Sequence, residues 1–158
     1  MRIDLPVAWI VVLNVAGWLA IQMGFAWAFT KMPVAWFNPG SAFGWEGNGH
    51  FYERVFRIKD WKDRLPDAAR WFGGGFAKGT IAGPSPEYFR RFIRETWRGE
   101  LCHWAALACA PVFFLWNPRW GDLVIVGYAV AANLPCILVQ RYNRARFQRL
   151  LARVKASS

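Results

Sequence analysis

The sequence predicts an all-α membrane protein with three membrane segments and amphipathic helices at the membrane surface. Three observations carry that expectation. Leu5 to Thr30 holds no charged residue across 26 positions, where a spanning helix needs about 20 apolar residues. Two further apolar stretches, residues 101–116 and 123–140, follow a long polar segment. Hydrophobic residues make up 55% of the chain, with 11 Trp and 13 Phe, and such side chains suit the rims where a membrane meets water. A length of 158 residues fits a single domain over 1–158.

Taken in order, the first segment covers about residues 5–30 and is ended by Lys31 and Pro33. Ala26-Trp27-Ala28 resembles a signal-peptidase site. However, the apolar run exceeds the roughly 7–15 residues of a signal's hydrophobic region, and Arg2 is offset by Asp4. An uncleaved span is the better reading. Residues 31–100 open with turn chemistry at Pro33, Asn38-Pro39-Gly40, Gly44, Gly47 and Gly49. Phe51, Val55 and Ile58 then repeat at helical spacing among charged residues, which predicts an amphipathic helix reaching toward Pro66. The Trp71–Phe76 stretch is glycine-rich but lacks the phosphate-loop pattern.

A second amphipathic helix is expected from Ser85-Pro86-Glu87, where a serine cap, a first-turn proline and an acidic residue coincide. Phe89, Phe92, Ile93 and Trp97 make its apolar side, and Arg90, Arg91, Arg94 and Arg98 its cationic side. It continues into the second membrane segment, 101–116, where Pro111 is placed to kink it. Asn117-Pro118-Arg119-Trp120-Gly121 reads as a tight turn. The third segment, 123–140, precedes a basic C-terminal helix over 141–158. A reentrant hairpin is the alternative to two full crossings here, because both runs are short.

The formal charge of +10 comes from 20 Lys+Arg against 10 Asp+Glu. Long apolar runs accompany it and no nucleic-acid motif does, so membrane lipids are the expected partners rather than nucleic acid. Residues 31–100 hold 12 Lys+Arg and 141–158 hold 6. Three crossings put both on one side, which predicts a multi-pass cell-membrane protein with its N-terminus outside and the long segment and C-terminus cytoplasmic. Cys102, Cys109 and Cys136 are odd in number and surrounded by apolar residues, and read as small buried hydrophobes.

The candidate site centres on Glu95-Thr96-Trp97-Arg98-Gly99-Glu100-Leu101-Cys102-His103-Trp104. On a continuous helix Thr96, Glu100, His103 and Leu107 share a face. Ionisable groups at membrane depth are costly and by default functional, although a pair that only caps a membrane helix would carry the same residues. The expected chemistry is acid–base. His103 can take a proton from a hydroxyl near neutral pH, and Glu100 can orient its ring. The arginines Arg98 and Arg141–Arg144 can hold an anion bidentately. Together these parts suit acyl transfer to a lipid hydroxyl. Glu46 and His50 form a second polar cluster in a glycine-rich turn. A metal site drawing on both clusters ranks below acid–base chemistry, because the H-E-x-x-H spacing is missing. The H-x-x-x-x-D motif of the large lysophospholipid acyltransferase family is also missing.

Four motifs carry a family resemblance: I-K-D-W-K-D-R-L-P-D (58–67), G-G-F-A-K (74–78), E-T-W-R-G-E-L-C-H-W (95–104) and A-N-L-P-C-I-L-V-Q-R-Y-N-R-A-R (132–146). In this order the chain resembles the glycosyl-4,4'-diaponeurosporenoate acyltransferase family over residues 45–150. The resemblance implies a small integral membrane enzyme that esterifies the sugar of a glycosylated carotenoid. Its polar positions match Glu95, Arg98, Glu100, His103, Arg141, Tyr142, Asn143 and Arg144, and Lys78 and Trp104 complete the expected substrate-binding set. No cofactor is expected beyond acyl-CoA or a lipid as acyl donor, with a glycolipid as acceptor. A phospholipid transacylase and a non-enzymatic scaffold for anionic lipids are the competing functions.

Overall fold

The computed structural model of the chain describes residues 2–40, 43–65 and 85–156. Among the described residues four α-helices carry the fold: α1 (Val7–Lys31), α2 (His50–Phe56), α3 (Pro86–Ala108) and α4 (Arg119–Ala156). Short 3₁₀ turns link them, and no strand occurs among the described residues. The all-helical expectation therefore holds. Two helices, α1 and α4, are each long and apolar enough to cross a membrane.

Helix α3 begins as its sequence dictates. Ser85 accepts from the Tyr88 N–H at 3.2 Å, and Pro86 occupies the first turn, where its missing N–H would have no helical partner. The helix ends at Ala108, and Ala110–Leu115 is a 3₁₀ helix. The 101–116 stretch is thus divided near Pro111. The chain then turns at Asn117, whose Nδ2 donates to the Phe113 carbonyl at 2.9 Å.

Helix α4 differs from expectation. The apolar run and the basic tail are not two helices but one of 38 residues, with Pro135 inside it. Arg, Gln and Leu are good helix formers, so a change of polarity need not end a helix. Helix α2 is also shorter than the periodicity predicts. It stops at Phe56 because Arg57 adopts a left-handed conformation at φ 47°. Ile58 is then fully buried in the next turn, while Val55 is exposed. Pro66, Asp67, the Trp71–Phe76 stretch and Lys78 lie outside the described residues.

The helices are tied at both ends. At one end Arg2 pairs with Asp122 at 2.6 Å and donates to the Asn117 carbonyl at 2.7 Å. Near it Asn14 and Asn117 exchange side-chain hydrogen bonds at 2.8 and 2.9 Å. At the other end Arg98 reaches the Thr30 and Met32 carbonyls at 3.5 and 3.4 Å, where α1 leaves carbonyls without helical donors. So α3 runs antiparallel to α1 and to α4. Between the ends, Trp18, Ala110, Phe113, Ile125 and Ala129 form an apolar core. Trp18 stacks on Phe113 with ring centroids 4.9 Å apart. Gly17 lets that ring approach, since a Cβ there would meet Phe113 at 3.0 Å. Beyond the charged end, Tyr52 and Ile58 pack on Tyr142 and hold the α2 segment against α4.

Candidate active site

The face predicted for α3 points inward: Thr96 and Glu100 are buried and His103 is partly buried. Glu100 is 0% exposed and accepts from Arg141 Nε at 2.6 Å, from Arg144 at 2.5 Å and from Trp104 Nε1 at 3.2 Å. Two guanidiniums share one carboxylate, so the trio keeps a net positive charge. Arg144 also lies over the Trp97 ring, 4.9 Å from its centroid, where the face of the π system favours a cation. Tyr52, beside Arg141, has its hydroxyl held protonated beyond the usual tyrosine range, by burial and by the Glu46 carboxylate that it donates to at 2.6 Å.

One turn earlier, Glu95 pairs with Arg98 at 2.5 Å. Burial pushes the Glu95 carboxyl above its usual range, against the pull of Arg98 and Arg91. Of the remaining expected residues, Trp104 keeps its ring 41% exposed while its N–H joins the Glu100 cluster. Tyr142 turns away from this cluster. It is buried against Tyr52 and Ile58 and donates to Glu53 at 3.1 Å. Asn143 is half-buried on α4 and makes no side-chain hydrogen bond to a described residue. Glu46 is buried on Tyr52 and the Phe43 N–H, whereas His50 sits at the surface against Arg149 at 3.0 Å and Glu53 at 3.5 Å. Among the described residues, no group of three or more His, Cys, Asp or Glu converges as metal ligands would.

The expected Glu100–His103 contact is not formed. The carboxylate is fully engaged by α4, because two cationic donors outcompete a neutral imidazole for it. The His103 Nδ1 instead meets Asn133 Oδ1 at 3.0 Å. Asn133 is 0% exposed and also receives Gln22 Nε2 from α1 at 3.2 Å. Sequence reasoning gave neither amide a role in the site, although Asn133 stands in the A-N-L-P motif. The available signal was their polarity: each interrupts an apolar run, where an amide needs a partner.

The arrangement sets a cationic cluster one helical turn from an imidazole, about 4.5 Å along α3. Such a pair can hold an anionic group and move a proton beside it.

Comparison with known proteins gives the family. A family model for glycosyl-4,4'-diaponeurosporenoate acyltransferase matches residues 33–153. A glycosyl-4,4'-diaponeurosporenoate acyltransferase of Staphylococcus aureus (strain USA300) is 30% identical over 142 residues, 87% of this chain and 86% of its own. One from Staphylococcus haemolyticus (strain JCSC1435) is 31% identical over 140 residues, 86% and 81% of the respective chains. No solved structure matches.

Proposed function

Because the chain belongs to the glycosyl-4,4'-diaponeurosporenoate acyltransferase family, we propose that it transfers a fatty acyl group to a sugar hydroxyl of a glycolipid, with a glycosylated carotenoid as the acceptor type. His103 acts as the base. Its ring takes the hydroxyl proton as the oxygen attacks the acyl carbonyl. The tetrahedral adduct then collapses, the bond from acyl carbon to leaving group breaks, and the imidazolium returns the proton to the departing thiolate or alkoxide. Arg141 and Arg144, aligned by Glu100, hold the anionic part of the donor or the developing oxyanion, and Arg98 adds to that field. Glu95, Trp104 and Asn143 line the approach as substrate contacts.

The observation that carries this reading is the inward-facing His103 one turn from the Glu100–Arg141–Arg144 cluster. The membrane setting supports it. From Asp122 to Arg141 helix α4 rises about 28 Å, close to the roughly 30 Å of a bilayer's hydrocarbon core. The same two levels bound α1 and the 101–116 stretch, through Arg2–Asp122 at one end and Arg98 at the other. On this reading the chain crosses three times, and the arginine cluster lies at the cytoplasmic face.

The test is incubation of the purified protein with labelled acyl-CoA and a glycolipid extract. Ester should form with the parent protein and not with folded His103→Ala. Ester formation without acyl-CoA would assign a lipid donor instead. Normal turnover by His103→Ala would refute the role of the imidazole.

A further inference from the structure

Asn133 is pinned by its own helix. Its Nδ2 donates to the Ala129 carbonyl at 2.9 Å, and a carbonyl can only accept. That bond decides which end of the amide faces His103: the oxygen. Gln22 Nε2, from α1, points a second donor at the same oxygen at 3.2 Å, as an acceptor requires. The Ala129 carbonyl therefore fixes Asn133 Oδ1 as the acceptor, and the Gln22 amide turns its NH2 end toward that oxygen to match. The nitrogen that meets it at 3.0 Å is His103 Nδ1, which must then carry the proton. In a neutral imidazole the other nitrogen is bare. His103 Nε2 makes no hydrogen bond to any described residue.

We infer that Asn133 is the positioning residue of this site: it holds His103 in the Nδ1–H tautomer and so makes Nε2 the basic atom that meets the acceptor hydroxyl. Three helices contribute to that state: α3 supplies the ring, α4 the amide and α1 the second donor. The inference rests on the reading of His103 as the base. It reassigns the orienting role, which Glu100 cannot perform while both its oxygens serve α4. It also states which ring nitrogen the substrate must reach. A hydroxyl delivered to the Nδ1 edge would find it capped.

The experiment is ¹⁵N NMR of histidine-labelled protein in lipid nanodiscs. The chain has 2 His, and His50→Gln identifies the His103 ring. The parent protein should show His103 with a protonated Nδ1 and a bare, far-downfield Nε2. Gln22→Leu should keep this signature, because the Ala129 carbonyl still orients Asn133. Asn133→Leu should lose it, and its kcat should fall by about 10²–10⁴-fold, the range lost with general-base catalysis. A bare Nδ1 in the parent protein overturns the inference whether or not any variant folds. So does an unchanged tautomer in Asn133→Leu, which would leave the amide as a helix-to-helix tie alone. Neither spectrum depends on turnover, so they separate this inference from the test of His103→Ala.

Discussion

Glu100→Ala strips the shared carboxylate from Arg141 and Arg144 and leaves the buried Arg144 guanidinium beside that of the partly exposed Arg141 without their common counter-ion. Glu100 is 0% exposed, and the Arg144 side chain is only 8% exposed. Breaking a buried ion pair by removing one partner costs about 3–5 kcal/mol, chiefly because the other charge stays buried and unpaired. For a chain of this length that corresponds to a fall in Tm of roughly 6–20 °C, at about 2–4 °C per kcal/mol. The assay is thermal unfolding in micelles of fixed composition, followed by tryptophan fluorescence. Two further variants separate charge from packing. Arg144→Ala should cost less than Glu100→Ala, since Glu100 keeps Arg141 at 2.6 Å. The triple change Glu100→Leu, Arg141→Met, Arg144→Leu should recover most of the stability, but without activity. A Tm within about 2 °C of the parent for Glu100→Ala would mean less than roughly 1 kcal/mol at stake, and the view of this trio as a buried electrostatic tie between α3 and α4 would fail.

Phe113→Ala should destabilise by about 3–5 kcal/mol, because the ring is 1% exposed and stacked on Trp18; denaturant titration measures the loss. Gly49→Ala should cost roughly 1–2 kcal/mol, since φ is +98° and a Cβ would meet the Tyr142 ring at 3.3 Å; the same titration checks it. The Lys59 ammonium holds the Glu53 carboxyl below its ordinary range, with Tyr142 assisting against burial. A lowered folded-state pKa means that the stability from the Glu53–Lys59 pair, with the lesser tie to Tyr142 on α4, is fully present above the unfolded carboxylate pKa. It is lost as pH falls through the folded value. Tm should therefore decline as pH falls through and below the ordinary carboxylate range, and Glu53→Gln should flatten that decline.

Local signals were legible in the sequence, and partnerships across the fold were not. The start of α3 could be read because Ser85, Pro86 and Glu87 specify it within three residues. The inward face of Thr96, Glu100 and His103 followed from helical spacing alone. Spacing gives a direction but not the neighbour found there. The partners of Glu100 stand 41 and 44 residues away, and the competition between guanidinium and imidazole is decided only when α4 packs on α3. Asn133 was visible as a polar break in the last apolar run but drew no role, because a lone amide does not say which side chain it will meet. Arg57 gave no hint that it would end α2, since nothing in an arginine's residue type favours the left-handed conformation it adopts.

The 38-residue length of α4 has a mechanical consequence. At about 1.5 Å per residue it is a rod of some 57 Å, nearly twice the thickness of the hydrocarbon it would stand in. On the proposed three-crossing reading, residues 119–141 stand in oil and residues 142–156 lie beyond it, carrying Arg144, Arg146, Arg149, Arg153 and Lys155 and packed against α2 and α3. Pro135 stands between the two places where α4 meets the site, Asn133 on one side and Arg141 and Arg144 on the other, and takes one hydrogen bond out of the shaft that joins them.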